Sequence, residues 1–273
     1  MSNQESLLAL MCSSCGGGIV GEPGQVQAIC PFCGSEQTES KPLQEQIEFP
    51  THYYAFSQSE TEADAAYRKF ANSKFWAPNE IRSASLELRK LYLPAWIWQG
   101  RIESHYAGLV SAMTRSGKRP VSGKDTRFID QNLVPASQAL RSSELNAIRP
   151  FEGSTVEFDP KDNHIPFEIA QLTREFAKSK AQSVMQERHI NHIRSTNSMV
   201  DLNVSSIFHD LEGQPFFLPI YIGVYRYKET PYRIIVNGLN GNLVGTSPIS
   251  WIKVMVAILI ITGIILIVVG VSS

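Results

Sequence analysis

The chain has 273 residues, 43% hydrophobic, 19% charged and 10% aromatic, and its 25 Lys+Arg against 26 Asp+Glu leave a net charge of -1. That length allows one or two domains with accessories, the composition excludes wholesale disorder and a polytopic membrane protein, and the charge balance argues against a globally basic nucleic-acid binder. All four cysteines fall within the first 33 residues, and roughly the last twenty are almost wholly apolar.

The N-terminal MSNQESLLALMCSSC has neither a basic n-region nor a long apolar core, so no cleaved signal peptide is expected. Cys12-Ser-Ser-Cys15 and Cys30-Pro-Phe-Cys33 then form CxxC-x14-CxxC, with Gly16 and Gly34 after the second cysteine of each pair. A tetrahedral Zn²⁺ site takes four soft ligands; each CxxC turn presents two thiolates to one ion, and the following glycine lets the backbone curl back. Two such turns at the tips of short hairpins predict a zinc ribbon over residues 1–40, where the metal replaces a core that some forty residues cannot build. A thioredoxin-like redox pair and two disulfides are the rival readings, although a redox CxxC opens a helix in a βαβ context that is missing here. Residues 1–40 carry Glu5, Glu22, Glu36 and Glu39 with no Lys or Arg, a net of -4, and four thiolates around one Zn²⁺ add a further -2. Phosphate binding needs cationic neutralisation, so this ribbon should repel DNA and RNA and reads as structural or protein-binding.

Residues 34–46 are rich in Gly, Ser, Glu and Gln and read as a linker into a body over 41–250 that is globular from about Gln46. SQSETEADAAYRKFANSKF carries a capping-box pattern at Ser57 and Glu60, then Ala63, Ala66, Tyr67 and Phe70 at helical spacing, predicting an amphipathic helix that ends before Pro78. LYLPAWIWQGRIESHYAG, Leu91 to Gly108, is aromatic and β-branched enough for strands. Arg115, Lys118, Arg119, Lys124 and Arg127, against one Asp125, are interleaved with Gly and Ser and predict a solvated hairpin loop. The same basic residues are candidates for contact with an anionic surface, either lipid or an acidic protein face such as the chain's own ribbon. A second helix is expected from near Pro166 past His192, with Ile169, Leu172, Phe176 and Val184 on its inner face. Strands resume over Phe216 to Gly245, with turns at Lys228 to Pro231 and at Asn237-Gly238 through Asn240-Gly241. Leu93-Pro94-Ala95-Trp96 and Leu218-Pro219-Ile220-Tyr221 are either a distant internal repeat or two strands that start alike, because proline is tolerated at a strand's first residue.

From Val254 to Val271 the chain reads VMVAILIITGIILIVVGV without a charge. With Trp251 at the interface and Lys253 snorkelling back, residues 251–271 predict a transmembrane helix about 30 Å long, a tail anchor. Arg226, Lys228, Arg233 and Lys253 precede it and nothing basic follows, so the positive-inside rule puts the N-terminal part in the cytoplasm.

The four-cysteine ribbon, KFWAPNEI, LYLPAWIW, NLVPAS and FFLPIYIGVYRYKETPYRIIVNGLNGNLVGTSPISW together resemble a group of bacterial zinc-ribbon proteins labelled as carrying a transcription-factor-IIB-type or primosomal-helicase-like zinc ribbon. The likeness runs along most of the chain. It implies the architecture and a zinc site on Cys12, Cys15, Cys30 and Cys33, and no activity.

Catalytic signatures are missing: no HExxH, GxSxG or GxxxxGK[ST] occurs, and no cysteine remains outside the ribbon. Gly16-Gly17-Gly18-Ile19-Val20-Gly21 matches GxGxxG but lies between the CxxC turns, with no strand expected before it and no helix after it, and reads as ribbon backbone. His189 and His192 share a helix face and could take a metal, yet without a third ligand a solvated face is the better reading; His52, His105, His164 and His209 are scattered. The expected fold is therefore α+β: an N-terminal zinc ribbon, a mixed body with antiparallel strands and a single C-terminal transmembrane helix. The expected role is a tail-anchored adaptor or scaffold at the cytoplasmic membrane face, with Zn²⁺ as cofactor and a protein partner on the ribbon. The alternatives are a membrane-tethered nucleic-acid protein using the 115–127 loop and an enzyme whose site is assembled from dispersed residues.

Overall fold

The structure is a computed structural model, and it describes residues 8–21, 29–36, 38–42, 48–83, 86–137, 139–159 and 163–272. Strands β1 (Leu8–Cys12), β2 (Gly18–Gly21) and β3 (Thr38–Pro42) form a small antiparallel sheet in the order β2-β1-β3. The stretch expected as a linker thus contributes β3, which pairs with β1 up to Cys12.

The body follows as β4 (His52–Tyr54), α1 (Glu60–Ser73), α2 (Asn79–Ser83), β5 (Arg89–Ser111), β6 (Lys118–Pro135), α3 (Ser142–Ala147) and β7 (Thr155–Glu157). After these come α4 (Arg174–Thr196), β8 (Met199–Tyr227), β9 (Thr230–Asn237), β10 (Leu243–Gly245) and α5 (Trp251–Ser272). One path of the large sheet runs β10-β9-β8-β4-β7, and β5 joins β8 to β6. Strands dominate: the sheet curls into a half-barrel and helices are few, which corrects the expected mixed α+β body.

Two proline-bearing motifs organise this sheet. Leu93 lies directly opposite Leu218, with Tyr92 opposite Pro219 and Pro94 opposite Phe217, so the two similar segments are each other's antiparallel partners. Neither proline opens its strand. Pro94 falls where the outer neighbour of β5 changes from Phe167, bridged to Tyr92, to β6, which begins pairing at Ala95. Pro219 falls between Phe217, paired to Tyr53 of β4, and Ile220, paired to Asn237 of β9. A residue with no N–H fits where one ladder stops and the next has not begun.

Helix α1 uses the capping box one pattern later than expected. Glu62 N donates to Ser59 Oγ and Ser59 N donates to Glu62 Oε2 at 2.7 Å, because the N–H groups of Ser57 and Gln58 are both taken by Gly238 O. Its buried face is Ala63, Tyr67 and Ala71, with Ala66 and Phe70 half-buried. Helix α4 begins at Arg174 rather than near Pro166. Pro166 O accepts from Tyr92 N, Glu168 N donates to Tyr92 O, and Ile169 N donates to Gly18 O, so 166–169 is an extended bridge between β5 and the ribbon. The inner face of α4 is Ala177, Ala181, Met185, His189 and Ile193, every fourth residue, while Phe176 is 70% exposed. Small alanines let this helix lie close against Trp96 and Trp98.

The expected transmembrane helix is also corrected: among the described residues no helix is long and apolar enough to cross a membrane. Lys253 does not reach outward; its Nζ donates to Phe75 O, Ala77 O and Asn79 Oδ1, fastening the start of α5 to the α1–α2 connection. The single-pass anchor, the membrane as partner and the cytoplasmic orientation deduced from them lose their basis.

Candidate metal centre

Each CxxCG segment closes into the same knuckle. Gly16 N donates to Cys12 O at 2.9 Å and Cys12 N to Gly17 O at 2.8 Å; Gly34 N donates to Cys30 O and Cys30 N to Ser35 O, both at 2.8 Å. Gly16 and Gly34 take φ of 76° and 68°, the left-handed region open to glycine at no steric cost. The knuckles face one another, with Cys12 Sγ 3.6 Å from Cys33 Sγ and Cys15 Sγ 3.6 Å from Cys30 Sγ, and all four sulfurs lie within 4.8 Å of one another. A disulfide bond would need about 2.05 Å, so the thiols are free. Neither pair opens a helix, which removes the structural context of a redox motif.

Cys12 and Cys30 are buried, and Cys15 and Cys33 half-buried. The Cys30 thiol donates to Cys15 and draws the Cys15 pKa down to about 5; burial opposes this, and bonds at Gly17, Cys33 and Cys12 assist. Cys30 is pushed up by that same shared bond and by burial, and Cys33 is pushed up chiefly by burial. Four sulfurs converging from two facing knuckles make a ligand set able to hold a metal ion.

This centre is packed into the body. Cys12, Cys30 and Phe32 share one core cluster with Leu91, Leu93, Leu218 and Ile222. A Cβ on Gly17 would meet Phe32 Cδ2 at 2.7 Å and Ala139 Cβ at 2.9 Å, so a side chain there would push the first knuckle off the body. Gln171 Nε2 donates to Gly16 O at 2.9 Å, Arg226 Nη2 to Gly34 O at 3.3 Å, and Val20 N to Phe167 O. Beneath the cluster, Glu168 is fully buried; Ser137 Oγ donates to its Oε1 at 2.7 Å, and Oε2 has no hydrogen-bond partner among the described residues. Burial pushes this carboxyl up to about 8, opposed by the Ser137 bond, raised further by Cys15 and lowered by Arg233.

The basic residues do not make one loop or one patch. Arg115 sits in the turn between β5 and β6, and Lys118, Arg119, Lys124 and Arg127 are strand residues of β6. The pairing runs without a break from Arg101 opposite Phe128 to Ser111 opposite Lys118, so side chains alternate between faces. Arg119 and Arg127 share the face of Asp125, which reaches α4, whereas Lys118 and Lys124 point the other way, Lys124 to Glu103 at 2.9 Å. Among the described residues the ribbon's polar contacts come from 167–171 and Arg226 rather than from this basic run.

The two α4 histidines differ. His189 is buried, not solvated: its Nε2 is 2.5 Å from Asp125 Oδ2 and its Nδ1 2.9 Å from Ser104 Oγ, which in turn is 2.8 Å from Ser206 Oγ. His192 is half-buried, its ring 6.5 Å from that of His189. Gly16 to Gly21, the GxGxxG match, spans the first knuckle and β2. Comparison with protein-family models, curated proteins and solved structures finds no match to this chain.

Proposed function

We propose that Cys12, Cys15, Cys30 and Cys33 hold one Zn²⁺ as a closed structural site, and that the ribbon so fixed, residues 1–40, is the protein-binding part of a scaffold whose body spans 41–250. The observation that carries the metal is the convergence of the four sulfurs. Zn–S bonds of about 2.3 Å put tetrahedral sulfurs about 3.8 Å apart, close to the 3.6 Å of the two facing pairs. Four thiolates leave no open position for water or substrate, so the ion would supply folding energy rather than catalysis. The resemblance to bacterial zinc-ribbon proteins points the same way.

A protein partner is supported by the surface beside the second knuckle. Ile29 is 56% exposed there, at the lip of a groove of about 320 Å³ lined by Pro31, Gly34, Leu86, Ile222 and Val224. The ribbon's acidity and the division of the basic residues between two strand faces give no support to nucleic acid.

The test starts from the purified full chain. One zinc per chain is expected, lost in the Cys12→Ser, Cys15→Ser double variant. In affinity capture, Ile29→Asp should keep its zinc and lose the partner recovered with wild type. A chain without stoichiometric zinc removes the metal assignment, and a partner retained by both variants removes the binding role.

A further inference from the structure

A cavity of about 350 Å³ opens between the β6 strand, the segment before β7 and α4, with Arg127, Gln131, Arg149, Glu152, Arg188 and His189 among its walls. Two local devices shape it. Between Trp98 opposite Asn132 and Gly100 opposite Ile129, β6 carries one residue more than β5, a β-bulge that puts Gln131 at φ 45°, unusual for a residue with a side chain. Opposite the bulge, the chain around Arg149 is held by three asparagines of the β9–β10 turn. Asn237 Nδ2 donates to Ile148 O and Pro150 O at 2.7 and 2.8 Å, Asn240 Nδ2 to Pro150 O at 2.8 Å, and Asn242 Nδ2 to Arg149 O at 2.6 Å.

So much backbone fixation aims one guanidinium. Arg149 Nη2 donates to the bulge carbonyl, Gln131 O, at 2.7 Å, while its Nη1 is buried without a partner among the described residues. Arg68, Arg89, Arg101, Arg174 and Arg233 are ion-paired to carboxylates; among the described residues Arg127, Arg149 and Arg188 are not. The Arg149 pKa is held below its ordinary value by burial and by the like charge of Arg188. Asp130 and Glu152 line the same cavity but are exposed, and neither pairs with a guanidinium. His189 has both ring nitrogens engaged, with Asp125 and Ser104, and serves as wall. A buried donor with no acceptor, beside two further unpaired cations in an open cavity, lacks an anion.

We propose that this cavity binds a phosphate-bearing small molecule, its phosphate held by Arg149 and Arg188 with Arg127 at the mouth. Guanidinium forks match the oxygens of a phosphate, which can accept from more than one arginine at once. The volume suits a small metabolite and leaves room beyond the phosphate itself.

The experiment is calorimetric titration of the zinc-loaded full chain with inorganic phosphate, glucose 6-phosphate and tricarballylate, on wild type, Arg188→Gln and Arg149→Gln. Arg188 is exposed on α4, so its variant keeps the fold even if Arg149→Gln does not. Saturable binding of a phosphate probe, weakened about tenfold or more in Arg188→Gln, is the expected result. Tighter binding of glucose 6-phosphate than of inorganic phosphate marks an organic ligand, and the reverse marks the free ion. Equal affinity in wild type and Arg188→Gln, binding of tricarballylate alone, or no saturable binding by wild type overturns the proposal.

Discussion

Glu168 carries its proton at neutral pH because burial makes the carboxylate expensive, and this makes stability depend on pH. Its folded pKa is raised to about 8, well above that of an exposed carboxyl, so the folded chain binds more protons than the unfolded one across that window. The contribution is complete below the ordinary carboxylate range and is lost as pH rises toward about 8. Glu168→Gln keeps an acceptor for Ser137 and removes the titration. In urea unfolding between pH 6 and 8.5, wild type should lose stability relative to this variant by up to about 1.4 kcal/mol per pH unit. Parallel pH profiles would show the group is not buried as described. Residues of this kind differ in how far the sequence announces them. The four cysteines were legible because CxxC is a local turn and its repetition fixes the ligand count. Glu168 and Arg149 were not, because the neighbours that surround each arrive from far along the chain: Ser137, Cys15 and Arg233 around the buried carboxyl, Gln131, Arg188 and the asparagine turn around the guanidinium. A lone acid inside Ile-Pro-Phe-Glu-Ile-Ala was the faint signal of the first.

Among the elements, α4 shows why periodicity placed a helix and missed its face. The large apolar residues Leu172 and Phe176 suggested the inner side, yet the helix buries its small residues, Ala177 and Ala181, against Trp96 and Trp98. Two stacked indoles, their centroids 5.8 Å apart, already fill that layer and leave depth only for a methyl group. Ala181→Leu should therefore destabilise by about 1–3 kcal/mol, read as a lower denaturation midpoint at unchanged slope. An unaltered midpoint would mean that the helix is not seated on the tryptophans. The LP-aromatic motifs taught a related lesson. Their likeness was visible in sequence, but their mutual pairing was not, since 125 positions separate Leu93 from Leu218, and the prolines mark changes of neighbour inside long strands rather than strand starts. The basic residues of β6 looked like a loop because Gly and Ser separate them; a strand at period two tolerates that composition and deals the charges to opposite faces.

Over the whole molecule, the ribbon is fastened to the body by a shared core as well as by chain connection. Phe32 and two of the cysteines lie in the cluster that also holds Leu93 and Leu218, and the 166–169 bridge bonds to both β2 and β5. Composition located the ribbon and the strand-rich segments; the docking between them was beyond it, because contacts such as Gln171 to Gly16 join residues 155 positions apart. The apolar C-terminal run was legible as a helix, whereas the membrane span read from it is not supported among the described residues. If the metal completes a core common to ribbon and body, removing it must weaken both. The direct measurement is differential scanning calorimetry of the full chain, zinc-loaded and after chelation. A single transition that falls by more than about 10 °C on chelation is the predicted result, several kcal/mol spread over a chain of this size. A body transition that keeps its temperature while only a small separate transition disappears would contradict it.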